Sequence, residues 1–293
     1  MINEVINYHF NKSIKEKIRL ENGWKESWLL VLSDNQKVVF RAYKDYAHIF
    51  EREKFFYNSV NKSIGKICPD VYVVDGSCQL YDKAYQISDF IEGKSLRHVI
   101  QTNHNEGKEE IYYKIGETVA RINQIQIDSN HPYVNNGYSW ENHYAYKLLQ
   151  PQLLRIIKNQ FLTNNEAEKL CNMISKLKPD ITHSYLHRDI RPDNIIYRDG
   201  KLFVIDAETC EFGDPLNDLA RINLEWYYWE MYDTLLDGYK SVMSIDTDNE
   251  LFYLYQLEKL AEILDMHFNH GCANSTTSFF ENKFKKIKSE LLC

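Results

Sequence analysis

Two aspartates and an asparagine, spaced along one short stretch, are the residues of this chain best suited to chemistry. Residues 187–220 read HRDIRPDNIIYRDGKLFVIDAETCEFGDPLNDLA. Asp189 stands near the start, Asn194 five places later, and Asp206 at the end of an apolar run. Between the last two, IIYRDGKLFVI reads as two strands joined by an Asp-Gly turn. One carboxylate that can orient a hydroxyl, beside a second carboxylate and an amide carbonyl that offer hard oxygens to Mg2+, is the set that phosphoryl transfer needs. Taken singly, Asp189 reads as an exposed turn acid and Asp206 as a strand-end cap. Their order and spacing together favour a site.

The pattern HRD-x4-N, followed by a strand ending in Asp, resembles the catalytic core shared by protein kinases and the aminoglycoside phosphotransferase and choline kinase group. The later IDAE and GDPLNDLA resemble the small-molecule branch. The resemblance implies an α+β, two-lobed protein-kinase-like fold, with a small antiparallel β N-lobe and a larger helical C-lobe. It implies transfer of the γ-phosphoryl group of ATP or GTP to a hydroxyl, with Mg2+ as cofactor. Asp189 then takes the place of the catalytic aspartate, Asn194 and Asp206 those of the metal ligands, and Asp218 caps a helix or braces the loop. A protein kinase fits less well, because Ala-Glu rather than Phe-Gly follows Asp206 and no Ala-Pro-Glu comes at the expected place.

Other parts of the resemblance are placements rather than motifs. Arg191 either lies against the transferring phosphate, where its fork could stabilise charge, or is a solvated loop arginine. On VVFRAYK, Arg41 takes the place of the phosphate-pairing cation, and Glu53 in EREKFFY that of its acidic partner, with Glu51 as the rival. Val39, Arg41 and Tyr43 share one strand face, and an inward cation needs a partner once desolvated. The loop ENGWKES, 21–27, falls where a phosphate-covering turn is expected. Gly23 is its one glycine, so Ser27 or backbone amides are the groups left to contribute. The segment YQISDFIEGKSL resembles the hinge, which would present the carbonyl of Asp89 and the amide of Ile91 to a base edge.

Acceptor residues are sought among acids and aromatics after the catalytic segment. Glu208, Glu211, Glu225, Trp226, Glu230 and Asp233 are the candidates, since carboxylates suit amino groups and aromatic faces suit cations. Against this, aromatics at helical spacing are usually core and helix acids usually face water. The acceptor is expected to be a small, cationic molecule. An aminoglycoside-like compound heads the possibilities, with choline, ethanolamine or a sugar as the metabolic alternative. A nucleotide-binding module that has lost turnover is the reading from another class.

Elements must position these residues. Short β-rich runs at 17–20, 28–33 and 37–43 predict two hairpins; strands at 70–74 and 84–90 follow a helix over 48–60. Beyond Gly93 the pattern is helical: 95–101, 109–124, 141–160 with a break near Pro151, 164–177, 218–242, 249–268 and 278–292. The helix over 109–124 is read as structural, with Asn123 where the family often carries His. The stretch 129–138 reads as a loop. The predicted division is a nucleotide-binding lobe over 1–91, a hinge near 89–93, and a helical lobe over 92–293.

Composition sets outer bounds. A chain of 293 residues, 44% hydrophobic and 26% charged, can bury a sizeable core. A net charge of -7 leaves no basic surplus for nucleic acid. The six cysteines are scattered without metal-ligand spacing, the N-terminus lacks a signal-peptide pattern, and no apolar run would span a bilayer. A cytoplasmic monomer or weak dimer without nucleic-acid or membrane partners is the expectation.

Overall fold

Alternating apolar side chains on consecutive strands build the first sheet, which a computed structural model of the chain describes together with most of the helices. The described residues are 1–20, 26–102, 107–126, 150–177, 179, 184–225 and 231–292, the side chains of 158 and 225 excepted. Strands β1 (Ile14–Arg19), β2 (Glu26–Leu32), β3 (Lys37–Tyr43), β4 (Val71–Asp75) and β5 (Ala84–Asp89) form an antiparallel sheet in the order β1-β2-β3-β5-β4. In β3, Val38, Phe40 and Ala42 are buried on one face, while Val39, Arg41 and Tyr43 lie on the other. Helix α2 (Ala47–Ile64) follows β3 and ends before Gly65.

Helix α1 (Ile2–Phe10) precedes the sheet, where the sequence reading placed no element. Ile2, Val5 and Ile6 recur at helical spacing and pack with Leu30, Leu32, Val38, Phe40, Tyr85 and Ile87 in one apolar cluster. Asn11 closes the helix in the left-handed region, its amide donating to the Asn7 carbonyl.

The chain forms two compact units. One comprises residues 1–108 and 189–210; the other, 109–188 and 211–293. In the first unit, β6 (Lys94–Ser95) pairs with β8 (Ile195–Arg198), which pairs in turn with β9 (Lys201–Val204); helix α3 (Leu96–Thr102) continues from β6. The expected Asp-Gly hairpin is therefore present, with Asp199 and Gly200 both at positive φ.

The second unit is mostly helical: α4 (Lys108–Asn123), α5 (Gln150–Arg155), α6 (Asn164–Lys176), α7 (Pro215–Glu225), α8 (Tyr232–Lys240), α9 (Glu250–Asn269) and α10 (Thr277–Leu292). Helix α9 packs against α5, α7 and α10 and is buried on several faces. Strands β7 (Ser184–Leu186) and β10 (Glu211–Gly213) pair antiparallel, Leu186 opposite Glu211. At three residues each, they are too short for a periodicity to show.

Two expected helices differ in detail. The span 218–242 is not one helix: α7 begins three residues earlier, at Pro215, and α8 starts at Tyr232, with 226–230 outside the described residues. Proline suits a first helical position because its missing N–H has no partner there anyway. Of the expected helix 141–160, residues 141–149 lie outside the described ones, and with them the expected break near Pro151, as does the predicted loop 129–138; the described part is α5, which ends at Arg155.

Helices α4 and α8 cross at two glycines. A Cβ on Gly116 would fall 1.9 Å from the Leu235 carbonyl oxygen, and one on Gly238 would fall 2.0 Å from that of Tyr113. Backbone is thus in contact with backbone, and no side chain can yield. Gly116→Ala is expected to destabilise the protein by about 1–3 kcal/mol, seen as a melting point several degrees lower; an unchanged melting point would contradict the crossing.

Candidate active site

The hairpin β8–β9 brings the two expected metal ligands to one end. Ile195 pairs with Val204, and one step further the Ile205 amide donates to the Asn194 carbonyl at 3.0 Å. Asn194 ends a short 3-10 turn, Pro192–Asn194, that opens with proline, and Asp206 follows directly after Ile205. Asp206 has φ of 61°, a left-handed conformation that non-glycine residues adopt at a cost and that clusters at functional positions.

Asn194 is buried, and its amide nitrogen is committed to Asp189. The Nδ2 donates to the Asp189 carbonyl at 2.9 Å and to its Oδ2 at 2.8 Å. Because both partners are acceptors, the orientation of the amide is fixed and Oδ1 is the atom left to meet a cation. Arg191 Nε stands 3.4 Å from the same Asp189 Oδ2. The turn is fastened to α3 by a two-pronged pair, Arg97 Nε and Nη2 each 2.6 Å from an oxygen of Asp193.

Arg41 and Glu53 are paired, as the sequence reading expects. Glu53 is fully buried on α2, and Arg41 Nη2 donates to its Oε2 and to Gln86 Oε1. Gln86 Nε2 returns a bond to Glu53 Oε2 at 3.0 Å, and Tyr57 donates to Glu53 Oε1 at 2.7 Å. Arg41 Nη1 reaches Asp206 Oδ1 at 3.2 Å, while the Ala207 amide donates to the Tyr57 oxygen at 3.2 Å. A closed ring of contacts therefore runs Asp206–Arg41–Glu53–Tyr57–Ala207. Arg52 adds a bond to the Glu208 carbonyl at 2.8 Å.

Burial alone would push the Glu53 carboxyl up and the Arg41 guanidinium down. Their mutual charge, with the bonds from Tyr57 and Gln86 to Glu53, reverses both: Glu53 is held below the usual carboxylate value and Arg41 is raised. Burial, and then the Glu53 charge, push the Tyr57 phenol well up, so it stays a donor. Ser27, buried on β2, sits directly opposite Arg41 across the ladder.

Asp89 ends β5 with its carboxylate already engaged by Lys66 at 2.8 Å and by the Tyr72 hydroxyl. Burial raises that carboxyl, and the Lys66 and Tyr72 bonds overcome it, giving a net lowering. The Asp89 amide donates to the Asp70 carbonyl at 2.9 Å, and Ile91 is half-buried two residues on.

Of the acceptor candidates, Glu208 belongs to the first unit and Glu211 and Asp233 to the second. Glu211 lies on β10 with its carboxylate 3.4 Å from Arg188 Nη1, so it is tied to a cation of the protein itself. Asp233 is exposed in the first turn of α8. The side chain of Glu225, and Trp226 and Glu230 entirely, lie outside the described residues, as do 21–25 of the expected phosphate loop.

Asp218 braces the loop rather than capping a helix. Its Oδ2 accepts from the His187 amide at 3.0 Å and its Oδ1 from the Arg188 amide at 2.7 Å. Asn123 Nδ2 reaches the same Oδ2 at 3.1 Å and the Tyr185 carbonyl at 2.7 Å, and the buried Tyr239 hydroxyl donates to Asn123 Oδ1 at 3.0 Å. Sequence reasoning missed Gln86, Tyr57 and Tyr239. Tyr57 is four places after Glu53, a spacing that could have exposed it; Gln86 depends on the non-local pairing of β3 with β5.

A family model described as the phosphotransferase enzyme family matches residues 18–243, most of the chain. The chain belongs to the phosphotransferase enzyme family. Its fold is that of solved phosphotransferases of this protein-kinase-like kind. A thermostable mutant of aminoglycoside phosphotransferase APH(4)-Ia is 14% identical, with 98% of each chain covered and a TM-score of 0.70. A fructosamine-3-kinase-like protein from Thermobifida fusca is 16% identical, with 99% of this chain and 98% of that one covered and a TM-score of 0.69. Spectinomycin phosphotransferase APH(9)-Ia, solved with ADP and spectinomycin, is 12% identical, covering 100% and 97%, with a TM-score of 0.67. Comparison with curated protein sequences gives no match. Among the described residues of this phosphotransferase, no helix is long and apolar enough to cross a membrane.

The donor set suits Mg2+. Asn194 Oδ1 and the Asp206 carboxylate are hard oxygens, and Mg2+ is usually held by one or two carboxylates with the rest of its shell from phosphates and water. Among the described residues, no group of three or more His, Cys, Asp or Glu side chains could hold a metal by itself.

The Arg41–Glu53 pair generates a prediction for stability and pH. Glu53→Gln should cost about 3 kcal/mol, because it leaves a guanidinium that is only 13% exposed short of its closest counter-charge. Since the folded value of Glu53 lies below the reference of 4.5, its contribution is fully present above that pH and is lost as pH falls through the folded value. Denaturant titrations between pH 7 and 3 should therefore show wild type losing more stability than Glu53→Gln below about pH 4.5; parallel losses would contradict the assignment.

Proposed function

We propose that this phosphotransferase moves the γ-phosphoryl group of ATP or GTP to a hydroxyl of a small, amino-containing acceptor. The observation that carries this reading is the set Asp189–Asn194–Asp206, assembled by one hairpin and one turn and joined to a buried Arg41–Glu53 pair. The nucleotide is supported by relatives of the same fold whose structures contain ADP or the analogue AMP-PNP. Aminoglycoside-like acceptors are supported by streptomycin and gentamicin in complexes of APH(2'')-IIa. The fructosamine-3-kinase-like relative favours a sugar amine as the second reading. The nucleotide-binding lobe is assigned to 1–91 and the acceptor-bearing lobe to 92–293, with Asp89 and Ile91 presenting backbone groups to the base.

Each residue has a distinct task. Asp189 accepts a hydrogen bond from the acceptor hydroxyl and takes up its proton as that oxygen bonds to the γ-phosphorus and the bond from this phosphorus to the β–γ bridging oxygen breaks, the nucleoside diphosphate leaving. Asn194 Nδ2 holds Asp189 in place, while Asn194 Oδ1 and Asp206 hold Mg2+. Bound Mg2+ neutralises charge on the phosphates. Arg41 and Arg191 steady anionic oxygens, with Ser27 beside Arg41. In this account Arg41 exchanges its Asp206 contact for phosphate when nucleotide enters. Positioning and electrostatics then supply most of the rate. Glu208, Glu225, Trp226, Glu230 and Asp233 remain candidates to meet the amino groups; Glu211 serves that end only by giving up Arg188.

A nucleotide-consumption screen over aminoglycosides, macrolides, choline-like amines and sugars, with ATP and with GTP, identifies the acceptor. Consumption with an aminoglycoside is the expected result; binding of nucleotide with no consumption on any acceptor points to the module without turnover. With the acceptor in hand, Asp189→Ala should lower kcat roughly 100- to 10,000-fold while nucleotide still binds, and Asp206→Ala should weaken metal-dependent nucleotide binding as well. Wild-type turnover in Asp189→Ala would remove the assignment.

A further inference from the structure

Asn194 closes a turn that has little to hold it from within. Residues 192–194 make a single 3-10 turn, opened by Pro192 and closed by the Asn194 amide, which donates to the Arg191 carbonyl at 2.9 Å. No side chain caps its start. Such turns have poorer hydrogen-bond geometry than an α-helix and occur in short pieces. The two polar side chains of the turn go to different partners. Asn194 Nδ2 reaches the Asp189 carbonyl at 2.9 Å and its Oδ2 at 2.8 Å, whereas Asp193 receives Nε and Nη2 of Arg97, each at 2.6 Å.

Arg97 is itself anchored. Leu96, Val99 and Ile100 bury the apolar side of α3, and just before that helix Ser95 pairs with Ile196 between β6 and β8. The chain after the turn is thus tied to β6 through its backbone, and the turn itself to α3 through one forked ion pair. All of these residues belong to the first unit. Two parallel bonds fix direction as well as distance, which the point charge of a lysine does not. At 45% and 40% exposure the pair adds little to overall stability. What it can supply is the orientation of residue 193, and with it that of its neighbour 194.

We propose that Arg97 is a positioning residue for Mg2+ binding: through Asp193 it sets the turn so that Asn194 Oδ1 is presented to the metal. The inference rests on Asn194 and Asp206 being the metal ligands. Arg97 acts through Asn194 and meets neither the metal nor the reacting groups. Side chains that orient metal ligands in this way typically govern metal affinity by about 10- to 100-fold.

Titration calorimetry with ATP and with GTP, in Mg2+ and in EDTA, reads the metal-dependent gain in nucleotide affinity with no acceptor present. Arg97→Ala and Asp193→Asn should each cut that gain about tenfold, with affinity in EDTA within about twofold of wild type. The double variant should lose no more than either single one, because both remove the same pair. A gain within about twofold of wild type in either single variant overturns the proposal, as do losses that multiply in the double variant. Since the pair is half exposed, melting points should fall by less than about 5 °C; a larger fall would trace the effect to folding and overturn it too. Hydrogen exchange reads the restraint in metal-free protein. The Asn194 amide should exchange at least about tenfold faster in Arg97→Ala, and unchanged protection there also overturns the proposal. Asp206→Ala run in parallel separates the two ideas. A wild type without any gain, or a full gain in Asp206→Ala, removes the metal site and the proposal with it, whereas a lost gain in Asp206→Ala beside an intact one in Arg97→Ala removes positioning alone.

Discussion

A guanidinium taken out of water has to be met by negative charge, and in this protein that requirement organises the first unit. Arg41 sits on the central part of β3 with Glu53 on one side, Gln86 on the next strand and Asp206 beyond. Each of those three comes from a different element: α2, β5 and the end of the β8–β9 hairpin. Satisfying one side chain thus fixes the helix against the sheet and the hairpin against both. Tyr57 closes the arrangement by serving Glu53 and receiving Ala207. The guanidinium that pairs with Glu53 thus also holds Asp206 at the end of the hairpin.

The second unit solves a different problem, which is how to hold a loop that has no regular hydrogen bonding of its own. One carboxylate, Asp218, accepts two successive amides and an asparagine amide. That asparagine is fixed by Tyr239, and Tyr239 reaches it because α4 and α8 touch at Gly116 and Gly238. Two positions without a side chain therefore let a hydroxyl reach Asn123 Oδ1, while Asn123 Nδ2 holds the carboxylate that receives the 187 and 188 amides. Buried polar groups are costly unless satisfied, and here each completes the next.

How much of this was legible in the sequence follows from the range of each interaction. Asp189, Asn194 and Asp206 could be read because turn, hairpin and strand end lie within one continuous stretch. The Arg41–Glu53 pair could be read through resemblance, and the strand–helix order placed both residues. Gln86 could not, since its position opposite Arg41 is set by pairing β3 with β5 across an intervening helix and strand. Helix α1 was not legible although Ile2, Val5 and Ile6 carry the helical period, because nine residues span too few turns for the period to repeat. The buried charges Arg188, Arg221 and Glu258 look like surface residues in a sequence, and only their mutual contacts make burial tolerable.

The central claim is that Asp189, Asn194 and Asp206 surround one metal-bound triphosphate. Its most direct test is a crystal structure of the protein with Mg2+ and a non-hydrolysable ATP or GTP analogue. The account predicts Asn194 Oδ1 and an Asp206 oxygen in the inner shell of the metal, Arg41 turned from Asp206 to a phosphate oxygen, and Asp189 facing the terminal phosphate. A metal held without Asn194 and Asp206, or a terminal phosphate remote from Asp189, would contradict it.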